Sequence, residues 1–143
     1  MVMYTDLDKN KYDDVIVFTS EFHNISYADE VIEKITQSVT IKPDIFGNIL
    51  LSLSEAINNA IVHGNQFDST KSVSVYYKLS NNCLEIAVKD EGEGFDYKLV
   101  EDPTELSNVE KLSGRGVFII LNLADIVEFS YDNGQVVKMV FNL

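Results

Sequence analysis

The chain has 143 residues, of which 45% are hydrophobic, and its formal net charge is −12. This length suits one compact domain over residues 1–143, and the apolar content argues against a disordered chain. The negative charge would repel a phosphate backbone, so we expect no nucleic-acid partner. No apolar run approaches the ~20 residues that span a bilayer, and the single cysteine, Cys83, excludes an internal disulfide. These features predict a cytoplasmic protein without a membrane segment.

The first half of the chain predicts one strand and two helices. The run Asp14–Ser20 is rich in β-branched and aromatic residues, which favour a strand. A helix over about residues 27–38 should follow Ser26, whose hydroxyl could cap it. Pro43 suits the first turn of a second helix, which should extend to about His63 because its apolar residues recur at three- and four-residue spacing.

From residue 73 onwards the hydrophobic period changes. Apolar and polar residues alternate in the runs 73–79 and 84–88 around Asn81-Asn82, which predicts a hairpin with one face in the core. Residues 96–113 have no clear period and predict a long loop, a type of segment that often serves as a functional lid.

The end of the chain predicts one helix and two strands, over residues 116–123, 126–131 and 135–142. Strands and helices in this order predict an α+β fold. We expect a two-layer sandwich in which helices cover one face of a mixed but mostly antiparallel sheet.

The second predicted helix carries the first group of residues with chemical potential. Glu55, Asn59 and His63 are spaced i, i+4 and i+8, which places them in one row along the helix at the edge of its apolar face. A carboxylate and an amide oxygen one turn apart can bind a hard cation, and the carboxylate can act as a general base. A solvated helix flank is the alternative interpretation, with His63 serving only the helix dipole.

The second group is the acidic, glycine-containing segment that ends the hairpin, Asp90-Glu91-Gly92-Glu93-Gly94. Glycines at alternating positions let the backbone approach a ligand closely. Asp90, at the end of a strand, could accept a hydrogen bond from an amino group such as the exocyclic amine of adenine. A tight acidic turn without a ligand would have the same composition.

The third group is Ser113-Gly114-Arg115-Gly116, directly before the apolar helix that continues through Val117. Glycines that open a helix expose its free N–H groups, and the helix dipole adds positive potential, so this arrangement suits phosphates. Arg115 could add a direct phosphate contact. A flexible hinge is the alternative. The segment is not a Walker loop, because the lysine followed by Ser or Thr is absent.

The order of these three groups along the chain resembles that of the GHKL (Bergerat-fold) ATPases, which have a histidine-kinase-like ATPase fold. The resemblance extends over about residues 41–143. The matching segments are Glu55-Ala56-Ile57-Asn58-Asn59-Ala60 with His63-Gly64, then Asp90–Phe95, then Gly114–Gly116. Within that superfamily, a small domain with this acidic-asparagine helix is similar to the bacterial anti-sigma-factor serine kinases.

The resemblance implies ATP and Mg²⁺ as ligands and assigns roles to the matching residues. Glu55 would be the general base for phosphoryl transfer, Asn59 would bind Mg²⁺, and Asp90 would recognise adenine. Residues 96–113 would form the ATP lid. The remaining nucleotide-binding residues would be Asn58, Asn59, His63, Gly92, Gly94, Gly114, Arg115, Gly116 and Val117. The implied partners are a sigma factor, a STAS-type antagonist whose serine accepts the phosphoryl group, and a second copy of the chain in a homodimer.

Two departures from the family pattern leave other functions open. The family often has a Gly-Thr pair in the final hairpin, whereas this chain has Gly134-Gln135, and the lid segment has only Lys98 and Lys111 as lysines. A nucleotide-sensing module that sequesters a partner without useful turnover is therefore the main alternative. The ATPase half of a histidine kinase and a domain that binds no nucleotide are further alternatives.

Overall fold

A computed structural model of the protein describes residues 8–93 and 115–143. The predicted site residues Gly94 and Gly114 lie outside this part of the chain, as does the predicted lid, residues 96–113.

Five strands form one sheet in the order β1-β2-β3-β5-β4. The strands are β1 (Asp14–Thr19), β2 (Ser72–Ser80), β3 (Cys83–Lys89), β4 (Ile126–Tyr131) and β5 (Gln135–Asn142). All pairings between these strands are antiparallel. The predicted antiparallel character is therefore confirmed, and the described strands contain no parallel pair that would make the sheet mixed.

The hairpin between β2 and β3 turns at the two predicted asparagines. Asn81 and Asn82 have φ angles of 51° and 60°, and Ser80 pairs with Cys83 on either side of them. Both central residues of a two-residue hairpin turn of this type need positive φ, which asparagine tolerates better than most residues. The turn therefore fixes the register that places Leu84 and Ile86 in the core.

Three α-helices pack on one face of the sheet. They are α1 (Tyr27–Thr36), α2 (Pro43–Asn59) and α3 (Arg115–Leu123), with 3₁₀ turns at Lys9–Lys11 and Phe22–Ser26 and a π-helical turn at Ala60–Gly64. The predicted helices are confirmed, and the second one ends in the π turn.

The predicted capping role of Ser26 is wrong. Ser26 has helical backbone angles, and its hydroxyl donates to the carbonyl of His23 at 3.0 Å instead of accepting from α1. The physical reason is that the 3₁₀ turn Phe22–Ser26 runs directly into α1, so Ser26 lacks the extended conformation that a capping residue needs.

The core lies between the helices and one face of the sheet. The π turn extends the apolar stripe of α2. Four residues of this combined stripe are fully buried against β-strand residues: Ile49, Leu53, Ile57 and Ile61. The opposite sheet face carries a small separate cluster of Tyr76, Ala87 and Val136, covered by Tyr12 from the N-terminal segment. The two-layer arrangement is thus confirmed, with the helices described here on one face only.

One helical stretch, Pro43–Gly64, is long and apolar enough to cross a membrane by length and composition alone, contrary to the sequence expectation. A single such helix is weak evidence, since a buried core helix passes the same test. Here its apolar stripe lies in the core of the domain.

Candidate functional site

The start of α3 lies directly against two polar side chains of α2. A Cβ atom added to Gly116 would lie 2.9 Å from Oε2 of Glu55, 3.0 Å from Nδ2 of Asn59 and 3.1 Å from Oδ1 of Asn59. Only a residue without a side chain fits this space without displacing those groups. The structure therefore brings together part of the first and third sequence groups, with the free N–H end of a helix facing a carboxylate and an amide.

Asn59 has the chemistry expected of a cation ligand. Its Oδ1 atom is buried and accepts no hydrogen bond within the described part of the chain. Buried amide oxygens normally have a partner, and hard cations such as Mg²⁺ prefer oxygen ligands. In residues 8–93 and 115–143, no group of three His, Cys, Asp or Glu side chains could hold a metal by itself. A cation bound at Asn59 would therefore need further oxygen ligands from outside the described residues, such as phosphate oxygens and water.

Glu55 lies one turn before Asn59 and is half-buried. Its carboxylate makes no hydrogen bond or ion pair with the described residues, so no other protein group competes for its oxygens there. Asn58, next to Asn59, is also half-buried. These positions leave the carboxylate able to accept a proton from a group that enters beside Gly116.

His63 lies in the π turn and is exposed. The turn is closed by the backbone N–H of Asn65, which donates to the carbonyl of Ala60 at 2.8 Å. No described hydrogen bond connects His63 to Glu55 or Asn59. Its predicted place in the site therefore has less support from the structure than those of the other two residues in the row.

Asp90 follows β3 and is only 3% exposed. Its Oδ1 atom accepts hydrogen bonds from the backbone N–H groups of Gly92, at 2.9 Å, and Gln135, at 2.8 Å. Burial raises the pKa of Asp90, and the two backbone hydrogen bonds oppose that shift. Both described bonds involve Oδ1, so Oδ2 keeps the capacity to accept from a ligand.

Two glycines allow close backbone contact around Asp90. A Cβ atom on Gly64 would overlap the Asp90 carboxylate, and a Cβ atom on Gly92 would overlap the Gly64 carbonyl. The end of the α2 stretch and the turn after β3 therefore pack backbone against backbone. This explains why Gly64 and Gly92 accompany Asp90 in the sequence.

Gly64→Ala is expected to destabilise the protein by roughly 1–3 kcal/mol, because the new methyl group must displace the Asp90 carboxylate. Urea unfolding followed by circular dichroism measures the change. Gly47→Ala is the matched control, since a Cβ atom at that α2 position meets nothing within 4 Å, and alanine should stabilise the helix by up to about 1 kcal/mol. Equal unfolding midpoints for the two variants would contradict the proposed close packing.

Two further predicted residues, Arg115 and Val117, lie in the first turn of α3. Arg115 begins α3. The Val117 side chain is buried in the core, so this residue can offer only its backbone N–H to a phosphate.

Two further residues lie near Asp90; sequence reasoning missed Asn65 and named Gln135 only as a departure from the family pattern. Asn65 is 1% exposed and accepts a hydrogen bond from the backbone N–H of Glu91. Gln135 is 8% exposed, and its backbone exchanges hydrogen bonds with Asp90. The sequence signal was present for Gln135, which differs from the Gly-Thr pattern. For Asn65, its position directly after Gly64 was the only sequence clue.

The chain matches known proteins over most of its length. Residues 18–141 match the family described as the histidine kinase-like ATPase domain. The serine-protein kinase RsbW of Listeria monocytogenes serovar 1/2a is 30% identical over 98 residues, which are 64% of this chain and 62% of that protein. The RsbW protein of Bacillus licheniformis is 32% identical over 102 residues, or 67% and 64% of the two chains.

The match to a third relative covers a larger share of both chains. The anti-sigma F factor of Geobacillus stearothermophilus is 29% identical over 126 residues, which are 85% of this chain and 86% of that protein. By contrast, the match spans less than two thirds of the length of the RsbW proteins. Since the family match runs from the end of β1 nearly to the end of β5 and includes Glu55, Asn59 and Asp90, the chain belongs to the histidine kinase-like ATPase family.

Proposed function

We propose that this domain binds ATP with Mg²⁺ and transfers the terminal phosphoryl group to a serine of a partner protein, as an anti-sigma-factor-type regulator. The observation that carries the proposal is the close approach of the Gly116 backbone to both Glu55 and Asn59, which leaves no free space for a side chain at that position. It brings together a helix start suited to phosphate, a candidate base and a candidate metal ligand. Membership of an ATPase family and similarity to serine-protein kinases support the same function.

The nucleotide would lie between the turn after β3 and the start of α3. Asp90 would accept a hydrogen bond from the exocyclic amine of adenine through Oδ2, and it would disfavour guanine, which has a carbonyl oxygen at that position. Gly92, and Gly94 beyond the described part, would let the base approach the backbone. The phosphates would bind the N–H groups of Gly116 and Val117, with Gly114 and Arg115 before them.

Asn59 is the residue that would hold Mg²⁺, because its buried Oδ1 has no other described partner. When bound, Mg²⁺ would offset negative charge on the phosphates. Asn58 lies beside this ligand, and His63 one turn later on the helical stretch. We include both in the proposed nucleotide site as residues that border the phosphates.

Glu55 would act on the serine of the partner. Its carboxylate takes the hydroxyl proton as the serine oxygen bonds to the γ-phosphorus, and the bond from that phosphorus to the bridging oxygen breaks. Phosphoserine and ADP are the products. The half-buried position of Glu55, without a described ion pair, supports this role.

The partners we propose are a sigma factor and a STAS-domain antagonist that carries the acceptor serine, with a homodimer as the working unit in the cytoplasm. The name of the anti-sigma F factor among the relatives supports the first of these. A net charge of −12 fits protein partners better than nucleic acid. The shared core of all described helices and strands supports one domain.

Phosphoryl transfer from labelled ATP to a purified STAS-domain protein tests the proposal. We expect transfer to a single serine that requires Mg²⁺ and stops when that serine is replaced by alanine. Absence of transfer to every STAS protein encoded in the same genome would contradict the kinase function.

A second candidate function rests on Gln135. The family resemblance leads us to expect a Gly-Thr pair in the final hairpin, whereas this chain has Gly134 and the buried Gln135; without the threonine hydroxyl, we expect that turnover can be lost while binding remains. A sequestration module would bind ATP and its partner but leave the partner unphosphorylated. Equal affinity for the partner with ATP, with ADP and without nucleotide would rule out this second function.

A further inference from the structure

Asn65 is a buried residue whose carboxamide group connects three segments of the chain. Its Oδ1 atom accepts from the backbone N–H of Glu91 at 2.7 Å. Its Nδ2 atom donates to the hydroxyl of Ser20 at 2.5 Å and to the carbonyl of Ser72 at 2.9 Å. Both N–H groups and one lone pair of the amide are therefore in use.

The three segments are the end of β1, the start of β2 and the turn after β3. Further bonds close the network, since the Ser20 hydroxyl donates to the carbonyl of Lys71 at 3.0 Å. The Glu91 carboxylate accepts from the backbone N–H of Ser72 at 2.6 Å. The turn that carries Asp90 is thus tied to the β1–β2 end of the sheet through two side chains, Asn65 and Glu91, of which Asn65 reaches both Ser20 and Ser72.

The hydrogen bonds on either side of Asp90 define its backbone conformation. The N–H of Asp90 donates to the carbonyl of Gln135 at 3.0 Å, which fixes the peptide before it. The N–H of Glu91 donates to Asn65, which fixes the peptide after it. The Asp90 side chain is held in turn by the bonds that Oδ1 accepts from Gly92 and Gln135, and Oδ2 lies beside Gly64.

We propose that Asn65 is a positioning residue for base recognition, which acts by holding the Asp90–Gly92 turn in the conformation that presents Oδ2 to the adenine amine. This inference rests on the proposed binding of ATP. Asn65 itself touches no nucleotide, because its carboxamide is buried and occupied by protein groups. Replacement of Asn65 should therefore change the selectivity for the base rather than the binding of the phosphates.

The test compares two nucleotides that differ only in the 6-amino group, ATP and purine riboside triphosphate, by calorimetric titration. Wild type should bind ATP about tenfold or more tightly than the analogue, as expected for loss of a hydrogen bond to a charged group. In Asn65→Ala the ratio should fall to about threefold or less, because a displaced Asp90 gains little from the amine. If Asn65 had a purely structural role, its replacement would weaken binding of both nucleotides equally and leave the ratio of their affinities unchanged.

Two further variants separate stability from positioning. Asn24→Ala is the control, since Asn24 is also buried but both of its described side-chain bonds go to Thr19. Asn24→Ala should be less stable than wild type, but the ratio of its affinities for ATP and the analogue should equal that of wild type. Asn65→Asp keeps an acceptor for the Glu91 N–H while losing the donors to Ser20 and Ser72, so it should retain most of the ratio.

If Asn65→Ala does not fold, Asn65→Ser takes its place, because the shorter side chain cannot span the same three partners. A wild-type ratio in the folded Ala or Ser variant would overturn the inference. Wild-type protein that binds ATP but does not distinguish it from the analogue would also overturn it, while leaving ATP binding in place. Wild-type protein that binds neither nucleotide would refute the proposed function and the inference together.

Discussion

Glu55→Gln is expected to remove phosphoryl transfer while leaving ATP binding unchanged. Glutamine keeps the size of the side chain beside Gly116 but cannot take the proton of the attacking serine. A positioned general base contributes about 10²- to 10⁴-fold to the rate, so transfer should fall by that range. Single-turnover transfer at saturating ATP gives the rate, and calorimetry gives the ATP affinity.

The neighbouring residue Ser54 offers a matched control for this experiment. Its hydroxyl donates to the carbonyl of Leu50 in the preceding turn of α2, at 2.7 Å, so it serves only its own helix. Ser54→Ala should transfer phosphate at the wild-type rate. A Glu55→Gln variant that does the same would show that the base is another group.

Asp90→Asn is expected to lose ATP affinity without losing stability in the absence of ligand. The asparagine Oδ1 can still accept from Gly92 and Gln135, but an NH₂ group replaces Oδ2 and would oppose the donor amine of adenine. Leaving such groups unpaired costs up to about 3 kcal/mol, so affinity should fall on the order of a hundredfold. ATP affinity equal to that of wild type would contradict the assignment of Asp90.

The pH dependence of stability provides a second measurement on the same variant. Burial raises the pKa of Asp90, so the folded state binds this proton more tightly than the unfolded chain does. The resulting stability is present below the unfolded pKa and is lost as the pH rises through the folded pKa. Wild type should therefore gain stability relative to Asp90→Asn when neutral buffer is exchanged for mildly acidic buffer, as measured by thermal unfolding. A constant difference between the two proteins would exclude this linkage.

Much of the fold follows from local sequence signals. The alternation over 73–79 and 84–88 predicted the β2–β3 hairpin, because asparagines can take the positive φ that its turn needs. The strands 126–131 and 135–142 have the predicted bounds. By contrast, the 3₁₀ turn before α1 and the π turn after α2 were not predicted, because hydrophobic period does not distinguish them from an α-helix.

The candidate site likewise has one part that local sequence predicts and another that depends on contacts between distant segments. One helical turn between Glu55 and Asn59 is a local property, so the sequence alone placed them together. The approach of Gly116 to both depends on how the chain returns after β3, and only the resemblance to a known family indicated it. Asn65 was missed because two of its three bonds, to Ser20 and Glu91, join residues that are far apart in sequence.

Calorimetric titration of ATP with and without Mg²⁺, on wild type and Asn59→Ala, tests the central claim most directly. The buried Oδ1 of Asn59 has no described protein partner, so its loss should remove a metal ligand and little else. We predict that Mg²⁺ strengthens ATP binding to wild type and no longer does so in Asn59→Ala, which keeps the weaker metal-free binding. Identical isotherms for the two proteins in Mg²⁺, or no ATP binding by wild type, would contradict the account.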